Sequence, residues 1–209
     1  MSVVNFFYRI YNKLFSVILI ALGQYVAKIY FYFNDIKLNQ GFNSTGIPII
    51  LIHRLGEMKI GTSFKINNTI QANPIGRDYK CLFVIRENAI LEIGDNVGMS
   101  GTTIVCQHSI VIGDYVKIGG NVCIYDTDFH ALDALIRANN TEDQKSAVRK
   151  KVQIGHNVFI GAHTTILKGV TIGNNSIIGA CSVITKSIPD NEIWAGNPAK
   201  FIKKVHTND

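Results

Sequence analysis

From residue 154 onward, apolar and polar positions recur with a period of six. Isoleucine stands at Ile154, Ile160, Ile166, Ile172, Ile178 and Ile184 without a slip. Four residues after each of the first five comes a small or β-branched residue: Val158, Thr164, Val170, Ser176 or Ser182. Gly155, Gly161, Gly173 and Gly179 directly follow four of the isoleucines. A helix repeats its face every 3.6 residues and a strand every two, so neither generates this spacing alone. A short fixed period marks a solenoid, and hexapeptides of this kind predict a parallel β-helix. Each hexapeptide forms one side of a triangular coil, with its aliphatic residue pointing inward. Three make a turn, and turns stack about 4.8 Å apart. The glycine beside the isoleucine is expected to ease the corner.

The register extends backwards. Ile112, Ile118 and Ile124 are six apart, with Val116 and Val122 at the small position. Ile93, Met99 and Val105 form a further run with Val97 and Thr103. One residue too many separates Val105 from Ile112, so a bulge or loosened corner is expected at His108 to Val111. Ile60 and Ile66 keep the spacing, and GIPIILI (46–52) reads as a first strand. QANPIGRDYKCLF (71–83) breaks the period, and its Pro74 and Gly76 predict a protruding turn. The larger interruption runs from Asp126 to Lys151. It is polar, carries His130 and contains no hexapeptide. A loop longer than about 15 residues in an otherwise regular fold is usually functional.

The first forty residues are of another kind. Leu14 to Phe33 is long enough to span a bilayer, yet it contains Gln24 and Lys28 and is preceded by Arg9 and Lys13. On a helical wheel Asn5, Arg9, Asn12, Lys13, Ser16, Gln24 and Lys28 fall within roughly 160°. One-sided polarity suits an interfacial helix on a membrane or a helix packed over the open end of the coil, which must be capped. A true span is the third alternative. The chain therefore divides into an amphipathic helical segment (1–40), a β-helix (45–188) with its loop at 126–151, and a tail (189–209).

Charge narrows the partners. The chain has 209 residues with 21 Lys+Arg against 15 Asp+Glu, a net charge of +6. The basic residues line no single helix or RNA-binding motif, which argues against nucleic acid. The local concentration at Lys200, Lys203 and Lys204 suits a small polyanion. Cys81, Cys106, Cys123 and Cys181 show neither close pairing nor metal-ligand spacing, and no cleavable signal peptide is apparent. They read as free thiols in a reducing compartment.

The C-terminal half, with the DTDFH loop (126–130), the ITKSIP exit (184–189) and the AGNPAK tail (195–200), resembles the hexapeptide-repeat acyltransferases. The maltose/galactoside acetyltransferases and the acetyltransferases of capsule and O-antigen synthesis are most similar in character. The resemblance covers residues 45 to 205. It implies a left-handed parallel β-helix, an all-β fold with a helical N-terminus, assembled as a homotrimer with sites between subunits. It also implies acetyl-CoA as donor, no metal, and a sugar hydroxyl of a polysaccharide or its precursor as acceptor. The location implied is cytoplasmic, or peripheral on the inner membrane face through residues 1–35. An amine or small-hydroxyl acceptor remains an alternative, as does a γ-class carbonic anhydrase with zinc on His130, His156 and His163.

Acyl transfer from a thioester to a hydroxyl needs a base, an oxyanion donor and a positioned donor molecule. By resemblance, His130 is the base. Glu142 is expected to orient its far ring nitrogen, with Asp128 or Asp133 as alternatives. Arg137 matches a loop arginine that either holds the loop or meets the acceptor. Asn121, Asp128 and Phe159 are expected on the acceptor side, Phe159 where the maltose/galactoside branch has tryptophan. Ala162 and Ala180 permit close approach of pantetheine, Thr185 and Lys186 flank the adenosine half, and Lys200 and Lys203 meet phosphates as point charges. Trp194 either stacks on adenine or pins the tail to the coil.

Overall fold

In the computed structural model, which describes residues 3–75 and 80–205, the hexapeptides wind into a parallel β-helix. Gly76 of the expected protruding turn lies outside the described residues, as do the side chains of Phe15, Ser16 and Leu19. A long helix, α1 (Val3–Phe33), comes first. The first coil is β1 (Asn43–Thr45), β2 (Ile49–Ile52) and β3 (Glu57–Ile60). The second is β4 (Lys65–Asn67), β5 (Leu82–Ile85) and β6 (Ile90–Ile93), and the third β7 (Gly98–Ser100), β8 (Thr103–Cys106) and β9 (Ser109–Ile112). In the fourth, β10 (Lys117–Ile118) and β11 (Cys123–Tyr125) lead into the loop, which holds α2 (Ala134–Arg137) and α3 (Asn140–Ser146) and returns through β12 (Val152–Ile154). Then follow β13 (Phe159–Ile160), β14 (Thr165–Ile166), β15 (Thr171–Ile172), β16 (Ile177–Ile178) and β17 (Val183–Ile184). The hairpin β18 (Glu192–Gly196) and β19 (Ala199–Lys204) ends the described chain.

Strands one coil apart pair in parallel, which makes three sheets: β1-β4-β7-β10-β13-β16-β18-β19, β2-β5-β8-β11-β14-β17 and β3-β6-β9-β12-β15. The predicted isoleucines stack directly over one another. Ile60, Ile93, Ile112, Ile154 and Ile172 form one interior column, and Ile118, Ile160 and Ile178 run up another. The small position is buried too, and it tapers from Phe64 through Val97, Val116 and Val158 to Ser176. At the narrow end the Ser176 and Ser182 hydroxyls satisfy themselves on the carbonyls of Pro189 and Gly179 (2.7 Å each).

Two expectations about the coil need correction. The inward residue of β8 is Ile104, which stacks between Phe83 and Ile124, and Val105 points outward. The irregularity is therefore a longer corner at Gln107–His108, while Ser109–Ile112 is a regular strand. The glycine after each isoleucine does not supply the corner's unusual backbone. That comes two residues later, where Asn96, Asn121, Asn157 and Asn175 have φ near +57°. Gly155 is instead required by stacking, because a Cβ there would stand 2.9 Å from Asn174 N on the next coil.

The N-terminus settles between its alternatives by thirds. Gly23, Ala27 and Phe31, four apart on α1, are buried against the first coil, and Phe31 joins Phe42, Phe64 and Phe83 in an aromatic plug. Gln24, expected on the polar face, turns to the coil and donates to Phe42 O (3.4 Å). Every described side chain from Val3 to Leu22 is exposed. Among the described residues no helix is long and apolar enough to cross a membrane.

Candidate active site

The long loop leaves the coil where β11 would turn into β12. Its root is fixed by Asp126, which is fully buried yet carries a carboxylate. One oxygen accepts the N–H of Gln107 (2.8 Å), the other those of His108 (2.7 Å) and Ser109 (2.8 Å). The loosened corner of the third coil thus gets its missing backbone partners from the first residue of the loop above it. Beside it the Cys106 thiol is pushed far up by burial and by the Asp126 charge, so it is no nucleophile. The loop's two strands close antiparallel at Thr127 and Arg149, with Lys150 N on Asp126 O (2.9 Å) and Asp128 N on Val148 O (3.0 Å). Phe129 has φ +64° and packs edge-on against Tyr125, which carries the chain outward to His130.

His130 is exposed, but its far nitrogen is not free. Nδ1 lies 2.7 Å from Asp143 Oδ2, and Asp143 Oδ1 takes the N–H of Ala131 (2.6 Å). The bond from His130, then that from Ala131, holds the Asp143 carboxyl below the usual carboxylate range. An ionised Asp143 makes Nδ1 the donor, so Nε2 carries the lone pair and faces outward as an acceptor. The orienting carboxylate is thus Asp143, not Glu142, which lies exposed and pairs with Lys145 (3.2 Å). Asn139 caps α3 by accepting from Thr141 N and Glu142 N, and this sets which face of α3 turns inward.

The other candidate carboxylates also have structural duties. Asp133 caps α2 through Leu135 N and Ile136 N. Asp128 pairs with Lys168 at 2.6 Å, and its second oxygen is buried without a partner among the described residues. It ties the loop to the next coil and does not open toward an acceptor. Arg137 donates from Nη1 to the carbonyls of Ala131 (2.8 Å) and Leu132 (3.1 Å), so it straps the loop and does not reach out to an acceptor. Lys168 and Asp143 are the two residues that sequence reasoning missed.

His130 opens into a cavity of about 920 Å³ whose walls include His53, Arg86, Gln107, Asp143 and Arg149. Thr185 and Lys186, both exposed, follow β17 on the same edge of the coil. The remaining candidates lie elsewhere. Ala162 and Ala180 stack with Gly120 on the edge that follows β10, β13 and β16, and Gly161 brings the backbones so close that a Cβ would strike Ala180 N. Asn121 and His163 share that edge, Nδ2 to Nδ1 at 3.0 Å. Phe159 is exposed on the adjoining face, beside Lys117 and Ile177. Within one chain His130 and the small-residue edge therefore sit at different corners.

In the tail, Trp194 stacks over Ile178 as the next interior residue, bonds Glu192 Oε2 (2.8 Å) and packs edge-on against Phe201. It pins the hairpin to the coil, while Lys200 and Lys203 are exposed on β19. Among the described residues no group of three His, Cys, Asp or Glu is placed to hold a metal. His156 Nδ1 is spent on Asp114 N (3.0 Å) and His163 Nδ1 on Asn121.

Residues 151–186 match the family described as bacterial transferase hexapeptide (six repeats). WbbJ of Escherichia coli K12, named provisionally as a lipopolysaccharide biosynthesis O-acetyl transferase, is 30% identical over 155 residues, 72% of this chain and 74% of WbbJ. The galactoside O-acetyltransferase of Lactococcus lactis is 39% identical over 107 residues, 51% of this chain and 49% of that one. The chain thus spans about half the length of this galactoside O-acetyltransferase. A galactoside acetyltransferase solved in complex with coenzyme A superposes with a TM-score of 0.51 at 29% identity, over 80% of this chain and 64% of that one.

Proposed function

Because the chain belongs to the hexapeptide-repeat bacterial transferases, we propose that it is an acetyl-CoA-dependent O-acetyltransferase acting on a sugar hydroxyl of a polysaccharide or its precursor. The observation that carries this reading is the His130–Asp143 pair, which leaves Nε2 unblocked in an open cavity. The acceptor hydroxyl attacks the thioester carbonyl while Nε2 takes its proton. Asp143 stabilises the imidazolium that forms, and the imidazolium returns the proton to the departing thiolate. The relatives support the chemical class, since one is named for galactoside O-acetylation and another for lipopolysaccharide biosynthesis.

The working unit in this proposal is a homotrimer of left-handed coils. Ala162 and Ala180 offer a backbone edge narrow enough for a pantetheine arm, but that edge is not the one that carries His130. A neighbouring copy brings such an edge against His130, with Lys186 and the tail's Lys200 and Lys203 supplying charge for the coenzyme's phosphates. Asn121 and Phe159 then face the acceptor from the neighbour's side. Residues 3–22 of α1 carry no carboxylate and expose Arg9, Lys13 and many apolar side chains, which supports peripheral attachment to an anionic membrane surface on the cytoplasmic side.

The test is transfer from acetyl-CoA to a saccharide panel, read by mass spectrometry, with light scattering for mass. The expected results are an alkali-labile ester on the acceptor and a particle of three 23.2 kDa chains. A monomer at micromolar concentration, or an alkali-stable amide as the main product, overturns the corresponding part of the proposal.

A further inference from the structure

One edge of the coil carries donors all the way from the capped end to the loop. His53, Arg86 and Gln107 each follow the last residue of a paired strand, Ile52, Ile85 and Cys106, so they stand one above another. Each is about 4.8 Å from the next, and the loop root at Asp126 is one coil above Gln107. All three line the same cavity as His130.

The polar capacity of this stripe is almost wholly donating. The Arg86 guanidinium has no hydrogen-bond or ion-pair partner among the described residues. His53 Nδ1 accepts from Leu55 N (3.2 Å), so its proton resides on Nε2. Gln107 Oε1 accepts from Arg149 Nε (3.0 Å), which leaves its amide N–H groups to donate. Arg149 also gives Nη2 to Gln144 O (2.9 Å) and keeps Nη1 in reserve. Against these stand two carboxylates in the wall. Asp143 is consumed by His130 and Ala131, and Glu87 is the single uncommitted one. The amides of Asn88, Asn140 and Gln144 also line the cavity and can accept as well as donate, but an uncompensated guanidinium gains more from an anion than from a neutral hydroxyl.

The geometry points to an acceptor saccharide that carries an anionic group, a carboxylate or a phosphate, with Arg86 as its principal partner and His53 and Arg149 beside it. This inference rests on the acyl-transfer reading of His130 and adds the acceptor's chemical class. Arg86 lies two coil spacings from the loop root, about 10 Å. The charged group is therefore held apart from the hydroxyl presented to Nε2. Arginine serves either anion through its planar fork.

The experiment compares methyl β-D-glucuronide, UDP-N-acetylglucosamine and methyl β-D-galactoside as ligands of the full chain, by direct titration and as acceptors. Saturable binding is expected for the carboxylate or the diphosphate at least tenfold tighter than for the neutral galactoside. Which of the two binds identifies the source of the charge. Arg86→Gln should lower that anionic-over-neutral ratio at least tenfold, and Arg86→Lys should restore part of it for the diphosphate. Equal affinity for all three ligands, or a ratio unmoved by Arg86→Gln in a variant with the parent's circular dichroism, overturns the proposal whatever the turnover. Failure of the parent chain to bind acetyl-CoA is a separate result and counts against the acyl-transfer reading itself.

Discussion

Asp143 Oδ2 lies 2.7 Å from His130 Nδ1, and the other oxygen of the same carboxylate holds Ala131 N at 2.6 Å. One buried side chain thereby fixes the ring of His130, its tautomer and the backbone that follows it. The carboxylate of Glu142, its neighbour in sequence, pairs with Lys145 instead.

Asp143→Asn keeps the size of the side chain and removes its charge. Turnover at saturating acetyl-CoA should fall roughly 10²–10⁴-fold, the range associated with a positioned base, because the amide no longer stabilises the imidazolium. Glu142→Gln should change it less than twofold. Initial rates of CoA release for the two variants decide between the neighbours, and equal losses would return the role to the loop as a whole.

His130→Ala should cost a comparable factor, roughly 10²–10⁴ in turnover, with the dissociation constant of acetyl-CoA nearly unchanged. The double variant His130→Ala/Asp143→Asn should be no slower than His130→Ala alone, since the aspartate acts through the imidazole. A further drop in the double variant would give Asp143 a role of its own at the substrate.

The Asp143 carboxyl is held below its ordinary value by His130 and Ala131. A carboxyl depressed in the folded state stabilises the fold above its unfolded value, near 3.9, and this contribution is lost as pH falls through the lower folded value. Protection of the Ala131 amide against hydrogen exchange should therefore persist through pH 5 and vanish only in stronger acid. In Asp143→Ala that amide should exchange fast at every pH, and an acid transition that survives the substitution would point to another carboxylate.

Asp126→Ala strands three partly buried N–H groups at Gln107, His108 and Ser109. An unsatisfied buried group costs about 1–3 kcal/mol, and these three are partly solvated, so denaturant unfolding should show a loss toward the low end of their sum, about 3–5 kcal/mol. Asp126→Asn keeps one acceptor and should fall between the two. A loss below about 1 kcal/mol would mean that the corner finds other partners.

At the capped end the sensitive residues are Gly23 and Phe31. A Cβ on Gly23 would meet Gly46 Cα at 2.8 Å, so Gly23→Val should lift α1 from the first coil. Phe31→Ala empties a fully buried site and should cost about 3–5 kcal/mol. Deleting residues 1–20 should leave the unfolding midpoint within about 0.5 kcal/mol of the parent while abolishing sedimentation with anionic vesicles. Unimpaired vesicle binding by the truncated chain would rule out attachment through this segment.

The interior columns were legible because a triangular coil admits one large aliphatic residue per side, which writes itself into the sequence as Ile154, Ile160, Ile166 and their successors. Ile104 and Val105 were not separable, since two adjacent β-branched residues carry the same hydropathy and only the partner strands, through Phe83 and Ile124, choose between them. The loop carboxylates were equally mute. Asp128, Asp133, Glu142 and Asp143 are alike in type and lie within sixteen residues, and Asp143 is chosen by the way the Asn139 cap turns α3. The polarity of α1 was readable, yet the docked stripe is Gly23, Ala27 and Phe31, which a wheel of polar residues passes over. The separation of His130 from Ala162 and Ala180 onto different corners follows from counting strands within a turn, and the inserted loop obscures that count.

The coil also acts as a ruler. α1 grips the first coil, and the loop springs from the fourth, so three coil spacings, about 14 Å, separate the capped end from the loop root. If the projecting half of the helix holds on to a support, the loop root stands at that height above it, because the paired coils between them are continuous. Under the acyl-transfer proposal, an acceptor tethered to the same support would be reached only at hydroxyls that its tether can raise to that level, so the number of coils below the loop would set the reach as a length built into the fold.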